Sequence, residues 1–308
     1  MKFPIVTVMI PTYNAPEYIE RAIDSVLKQT YKNIDIIVSD DSTNDEIEKI
    51  INKNYINKVR YYRNIPSLGR VENYRYMLYS LSKGEFIINL DGDDFFINYD
   101  FIEKFINLAL LKPEVILFFA KQKICNNIQK KQNNLKTIPR ERIKFFDGNQ
   151  LFLDVIFRNI EIPHLTTMYN KKKAIEIGFY KYNILSSDRE SILKLLLNNK
   201  ICFLNEYVGC WVHHGANSSQ SKDLTEILEN VKMYDRLYCF AKTKTDIKLY
   251  KLIIWKGLGK YKGIYAFFYI NSKYILNIDK YKKIYQYNKI LFIILLIDAR
   301  LYLRLLKK

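Results

Sequence analysis

What most constrains this chain is an alternation of two hydrophobic periods along its N-terminal part. Ile5–Ile10 is a continuous apolar run, Ile34–Val38 and Phe86–Leu90 are strand-like runs, and Val59–Tyr62 and Val115–Phe119 read as extended too. Between them the period changes to that of a helix. Ile19, Ala22, Ile23, Val26 and Leu27 share one helical face, Ile47, Ile50 and Ile51 mark a short helix, and Val71–Leu81 and Phe101–Leu111 mark longer ones. Strands apolar on both faces need cover on both faces, and amphipathic helices between parallel strands supply it. The fold expected is a doubly wound α/β sheet, mainly parallel, whose ligands bind at the carboxyl ends of its strands. Asn14 is expected to cap the first helix, with Glu17 as its reciprocal partner.

Those strand ends are polar. Pro11-Thr12-Tyr13-Asn14 follows the first, Asp40-Asp41-Ser42 the second, and Asp91-Gly92-Asp93-Asp94 follows Leu90. Each alone can be read as a turn or a helix cap. Together they gather Asp41, Asp91, Asp93 and Asp94 at one sheet edge, where so much negative charge calls for a cation. Hard carboxylate oxygens one residue apart suit Mg²⁺ or Mn²⁺, and a nucleoside diphosphate is the usual companion of such an ion.

The rest of the chain is less regular. Asn126–Lys144 is polar, basic and Asn-rich, and is expected to be a mobile loop. Helices are expected at Leu151–Phe157 and Ser191–Leu197, with extended pieces at Leu165–Tyr169 and Ile201–Val212. Beyond Asp223 the pattern is helical, basic and rich in Tyr and Phe. The chain carries 49 Lys and Arg against 32 Asp and Glu, a net charge of +17. Lys222–Lys308 holds 19 of those cations and 7 of those anions, so +12 of the +17 belongs to the C-terminal part. Such a surface attracts phosphate as nucleic acid, anionic lipid or a phosphorylated substrate. With 49% apolar and 26% charged residues, wholesale disorder is excluded. The four cysteines show no CxxC spacing and are expected to be free thiols. The first apolar run is too short for a leader, and no stretch has the length of a membrane span.

The ordered motifs resemble glycosyltransferase family 2, the inverting enzymes of GT-A fold. The likeness runs over about residues 5–220. It includes Pro11-Thr12-Tyr13-Asn14, Ser25-Val26-Leu27-Lys28-Gln29-Thr30-Tyr31, Val38-Ser39-Asp40-Asp41-Ser42, Gly69, Asn73, and Lys83-Gly84-Glu85-Phe86 leading into Leu90-Asp91-Gly92-Asp93-Asp94. The resemblance implies a nucleotide-sugar donor, typically a UDP-sugar. Pro11 and Tyr13 line the base pocket, Asp41 accepts a hydrogen bond from the base, and Asp91 and Asp93 belong to the nucleotide site. Asp93 and Asp94 occupy the Asp-x-Asp metal position, and Asp188 in Ser186-Ser187-Asp188-Arg189-Glu190 stands at the catalytic base. Ser187 replaces the usual Glu there. Trp211-Val212-His213-His214 is similar to the family's aromatic-Arg-x-His segment, which puts His214 near the metal or diphosphate, although Val212 replaces the Arg. The Gln-x-x-Arg-Trp signature of processive synthases is absent, which favours addition of one sugar.

The expected organisation is a catalytic domain over residues 1–220 and a basic, aromatic-rich helical region over 221–308. On a helix, Lys289, Arg300, Arg304, Lys307 and Lys308 fall within an arc of about 100°. An interfacial helix on the cytoplasmic face of an inner membrane, held by anionic lipid, is the expectation. The acceptor expected is a glycan or lipid-linked saccharide of a bacterial surface polysaccharide, lipooligosaccharide or glycoprotein. The competing reading is a nucleic-acid- or membrane-binding protein on an inactive α/β scaffold, since basic and aromatic residues interleave in the tail. That reading leaves the acidic strand ends without a role. A dinucleotide-binding dehydrogenase lacks its glycine-rich turn after the first strand, and an Asp-nucleophile phosphatase is disfavoured by Phe95.

Overall fold

The computed structural model describes residues 3–126, 142–214 and 223–270. The chain forms two compact units, Met1–Asn217 and Ser218–Lys308.

The first unit is built on one large sheet. Strand β1 (Val6–Thr12) is flanked by β2 (Ile34–Asp40) and β4 (Phe86–Asn89), and β3 (Arg60–Arg63) adds to β2, all four parallel. Val6–Ile10 and Phe86–Asn89 are buried on both faces, which is why their apolar runs do not alternate. Helix α1 (Pro16–Leu27) lays Ile19, Ala22, Ile23 and Val26 on the sheet, and α2 (Glu46–Asn54) adds Ile47 and Ile51 to the same core. Helix α3 (Arg70–Tyr76) runs into a π-helical turn over Met77–Leu81, and α4 (Phe101–Leu111) packs Phe101 and Phe105 under the sheet.

Beyond β4 the parallel order stops. Strand β8 (Thr167–Asn170) enters antiparallel between β4 and β6 (Val115–Asn126). Strand β9 (Lys200–His213) runs parallel to β6, while the short β5 (Phe95–Phe96) and β7 (Ile143–Asp147) pair antiparallel with β9. The strand order is β3-β2-β1-β4-β8-β6-β9-β5, with β7 also on β9. The sheet is therefore mixed, and the expectation of a mainly parallel one holds only for its first half. Helices α5 (Gly148–Phe157), α6 (Lys171–Glu176) and α7 (Ser187–Leu196) complete the unit.

Three sequence expectations change here. Asn14 does not cap α1: the cap position is Ala15, and Pro16 sets the first helical dihedral. Asn14 instead adopts φ 47°, takes the Thr43 N–H on its Oδ1 at 3.0 Å, and donates its own N–H to Ser42 Oγ at 2.8 Å. It ties the loop after β1 to the loop after β2. The polar stretch expected as a loop over Asn126–Lys144 already contributes the start of β7, and residues 127–141 lie outside the described residues. Finally, Cys125 and Cys210 are joined as a disulfide with their Cα atoms 6.0 Å apart, whereas Cys202 and Cys239 are free. Parallel pairing of β6 with β9 makes neighbours of residues 85 positions apart, which spacing in the sequence does not reveal.

The second unit holds α8 (Leu224–Val231), α9 (Met233–Lys244) and α10 (Leu249–Ile270). Trp255 and Leu252 are fully buried, with Trp255 against the ring of Tyr234 at 5.5 Å. Another face of α10 leaves Tyr250, Ile253, Ile254 and Leu258 exposed. No described helix is long and apolar enough to cross a membrane. The proposed interfacial helix over residues 289–308 lies outside the described residues.

Candidate active site

The carboxyl ends of β1, β2 and β4 are locked to one another through the backbone. The Asp41 N–H donates to the Thr12 carbonyl at 3.0 Å, and the Gly92 N–H donates to the Pro11 carbonyl at 3.0 Å. A Cβ on Gly92 would stand 3.0 Å from the Thr12 side chain and 3.1 Å from the Pro11 oxygen, so any other residue would press the acidic turn a few tenths of an ångström away from β1. That approach brings Asp91, Asp93 and Asp94 together: each offers a carboxylate oxygen within 4.8 Å of the others.

Their surroundings make this charge expensive to hold. Burial, reinforced by Asp91 and Asp93, keeps the Asp94 carboxyl well above the usual carboxylate range. Burial also pushes Asp91 up, opposed by the nearby His164 and reinforced by Asp93. Asp94 takes the Val212 N–H on Oδ1 at 2.8 Å, and Asp91 Oδ1 accepts from the Tyr74 hydroxyl. A hard divalent cation bound among the three oxygens relieves both burial and repulsion, so the donor set fits Mg²⁺ or Mn²⁺.

Two basic groups flank the cluster. His214 Nε2 lies 2.8 Å from Asp93 Oδ2, and its ring stacks on Tyr18 at 5.3 Å. In this arrangement His214 orients a carboxylate of the cluster; the three gathered ligand oxygens are those of the aspartates. Arg21, on α1, donates to the Asp93 carbonyl at 3.1 Å and lies 4.3 Å from the Phe95 ring centre. Nothing in the sequence distinguished Arg21 from an exposed helix cation, because its role depends on how α1 crosses the Asp-Gly-Asp-Asp turn.

The nucleotide-side residues form a second group. Pro11 is half-buried and Tyr13 is 58% exposed, so both can present a wall to a ligand. Asp41 is only 3% exposed and already accepts three hydrogen bonds: from Asn64 Nδ2 at 2.7 Å, Leu68 N at 3.2 Å and Gly69 N at 2.8 Å. Gly69 has φ +82°, a left-handed conformation that favours glycine. Asp41 thus holds a turn in place, and a carboxylate with about four acceptor positions keeps roughly one for a ligand.

That turn leads to Asp188. Arg70, next to Gly69, donates from Nη2 to the carbonyls of Ile184 and Leu185, each at 2.9 Å, immediately before α7. Asp188 lies in the first turn of α7, half-buried, and its carboxylate makes no hydrogen bond among the described residues. The cap position is Ser186, so Asp188 is not spent as a cap. Its charge and that of Asp91 both raise the pKa of Tyr74, which is pushed well up mainly by burial. Tyr74 stacks on Tyr180 at 5.0 Å, the Tyr180 N–H donates to Ser191 Oγ at 2.8 Å, and the Tyr180 hydroxyl meets His164 Nε2 at 2.7 Å. Tyr74, Tyr180 and His164 therefore bridge the acidic turn and α7. Nothing in the sequence singles them out, since a buried Tyr or His in an apolar segment ordinarily reads as core.

Known proteins share the sequence pattern and the fold. The sequence profile of Glycosyl transferase family 2 matches residues 7–178. Hyaluronan synthase from Pasteurella multocida is 27% identical over an alignment of 322 positions that takes in 96% of this chain and 32% of that protein, so the chain spans about a third of that relative's length. Among solved structures, S. aureus TarS 1-349 in complex with UDP-GlcNAc superimposes with a TM-score of 0.65 at 16% identity, covering 89% of this chain and 76% of that one. Mannosyltransferase PcManGT from Pyrobaculum calidifontis, in complex with GDP-Man and Mn²⁺, gives a TM-score of 0.56 at 11% identity, covering 90% and 76%. At these identities the structural likeness speaks for the fold, which is GT-A. With its profile spanning more than half of the chain, from β1 past the acidic turn, the protein belongs to glycosyl transferase family 2.

Proposed function

We propose that this protein is an inverting glycosyltransferase that moves one sugar from a nucleoside diphosphate sugar, UDP-linked, to a hydroxyl of a glycan or lipid-linked saccharide acceptor. The observation that carries the reading is the meeting of the Asp91, Asp93 and Asp94 oxygens within 4.8 Å, with the Asp188 charge near enough to act on Tyr74, which donates to Asp91. Pro11 and Tyr13 flank the base, and the remaining acceptor position of Asp41 takes a base N–H. Asp93 and Asp94, with Asp91 and His214 beside them, hold Mg²⁺ or Mn²⁺. When bound, that ion offsets the charge that develops on the departing diphosphate.

Asp188 supplies the base. Its free carboxylate takes the proton of the acceptor hydroxyl as that oxygen bonds to the anomeric carbon. The bond from the anomeric carbon to the diphosphate oxygen breaks on the opposite face, its electron pair leaves with the nucleoside diphosphate, and the configuration inverts. Arg70 fixes the chain just before Asp188 to the start of α3, whose Tyr74 donates to Asp91 in the acidic turn.

The test is release of nucleoside diphosphate from a panel of nucleotide sugars by the full chain with Mn²⁺ present. Asp188→Asn should retain the Mn²⁺-dependent thermal shift and lose about 10²–10⁴ in turnover. Near-native turnover in that variant removes Asp188 from the base role.

The same reading puts the protein on an anionic membrane surface. Tyr250, Ile253, Ile254 and Leu258 are exposed at helical spacing on α10, and Lys251 and Lys262 fall beside that stripe. Salt-sensitive sedimentation with anionic liposomes, absent with neutral ones, tests it.

A further inference from the structure

A second concavity lies away from the acidic turn, where β6, β7 and β9 meet the loop after α5. Its volume is ≈ 460 Å³. The strands present two different faces here. Phe118, Ala120, Cys202 and Leu204 point into the hydrophobic core. Their alternating neighbours Phe119, Lys121, Phe203, Asn205 and Tyr207 line the cavity. The sequence pattern marks β9 only as an extended piece, and its outward face takes no part in the acidic edge.

The lining chemistry is specific. Phe119 and Phe203 lie 4.9 Å apart, and Tyr207 at the mouth is 42% exposed, so aromatic surface is offered to a ligand. Lys121 and Lys123 stand 5.5 and 5.6 Å from the Tyr207 ring, and Lys144 enters from β7. The one carboxylate of the lining, Glu161, accepts from Gln122 Nε2 at 3.3 Å. Cations therefore outnumber anions around the ring. Asn205 also lines the cavity, with a side-chain amide whose Oδ1 finds no hydrogen-bond partner among the described residues. Aromatic faces attract the positively polarised C–H face of a sugar ring, side-chain amides bond its hydroxyls, and ammonium groups bind an acidic substituent.

The cavity is linked to the reaction centre. Gln122 pairs with Gly209 on β9, three residues before Val212, whose N–H holds Asp94. At about 3.3 Å per residue that is about 10 Å along the strand. Pro163 lines the cavity, and its neighbour His164 meets Tyr180.

We infer that this cavity is an acceptor subsite that binds a saccharide bearing a negative charge, either a carboxylate or a phosphate, with Tyr207 as the stacking platform and Lys121 and Lys144 as the anion contacts. This rests on the glycosyltransferase reading for its word acceptor, while the binding itself can be measured apart from it. The full chain is titrated calorimetrically with three probes: a glucuronate-containing disaccharide, a hexose 1-phosphate and the corresponding neutral disaccharide. At least one acidic probe should bind at least about tenfold more tightly than the neutral one, the order expected of a hydrogen bond to a charged group. Which acidic probe wins separates the carboxylate from the phosphate. Lys121→Ala with Lys144→Ala should remove that preference, and Tyr207→Phe should preserve it while Tyr207→Leu weakens all saccharide binding. Mn²⁺-dependent hydrolysis of the donor sugar, measured on the same variants, should stay within about twofold of the parent. Equal binding of charged and neutral probes, or a preference that survives loss of both lysines, overturns the subsite. Absence of donor hydrolysis in the parent protein overturns the catalytic reading instead and leaves the binding result standing.

Discussion

The two halves of the sheet solve different problems. In the β3-β2-β1-β4 half, strands are parallel, β1 and β4 are buried along almost their whole length, and the polar and acidic loops follow the strand ends. In the β8-β6-β9 half, pairing directions mix, and β6 and β9 are long enough to carry one apolar face inward and a polar, aromatic face outward. The first half collects short loops at one edge and so concentrates charge; the second spreads its groups along strand faces and so makes a wall. A donor with a compact diphosphate suits the edge, and an extended saccharide suits the wall.

The largest test of that contrast is on the edge. Asp93→Asn removes one charge from a cluster of three and the partner of His214. Turnover should fall about 10³-fold or more, since a metal ion supplies several kcal/mol of charge stabilisation, and the Mn²⁺-dependent rise in melting temperature should vanish. A variant that keeps both would show that the edge does not bind the ion.

Next comes the tie between the edge and the base. Arg70→Met leaves the Ile184 and Leu185 carbonyls without their donor. A drop of about 10–10² in kcat, with KM for the donor nearly unchanged, is expected from misplacement of Asp188. A change confined to KM would instead make Arg70 part of the nucleotide pocket.

The acidic edge also predicts how stability depends on pH. Asp91 and Asp94 titrate above their ordinary values, chiefly because of burial. At about pH 2, well below the ordinary Asp value of about 3.9, both are protonated in the folded and the unfolded chain, and they cost nothing. As the pH rises toward their folded values, the unfolded chain ionises freely while the folded one resists. The metal-free protein should therefore lose stability across that window and then level off. Mn²⁺ binds the ionised form, so its thermal stabilisation should grow as pH rises from about 4 and then flatten; melting curves with and without the ion check this. A stabilisation independent of pH would place the ion elsewhere.

The smallest expected effect is at the rim. Tyr13→Ala deletes an exposed wall and should raise the donor KM about three- to tenfold with kcat little changed. If kcat falls with it, Tyr13 touches the reacting sugar rather than the base.

The acidic edge is legible in the sequence because each contribution is local. A continuous apolar run ends in Pro11-Thr12-Tyr13, another in Asp40-Asp41 and a third in Asp91-Gly92-Asp93-Asp94, and parallel strands bring those ends to one side. The resemblance, not the local sequence, singles out Asp188, and its role as base stays a proposal. Asn14 was misread because an Asn before Pro16 looks like a cap, whereas its positive φ turns it toward Thr43. Asp41 was read as a ligand contact, yet Asn64, Leu68 and Gly69 use most of its acceptor capacity.

By itself, the sequence determined the alternation that builds the first half of the sheet, the acidic edge and the basic character of the C-terminal part. These are written in continuous apolar runs, in the 3.6-residue period of the helices and in short-range spacing, so neighbours along the chain suffice to read them. Tertiary structure alone decided the antiparallel entry of β8, the junction of Cys125 with Cys210, the Arg70 tether and the Tyr74–Tyr180–His164 bridge. Each of those joins residues from separate elements, and which elements meet is set by how the apolar faces bury one another, a global condition that no local window of sequence contains.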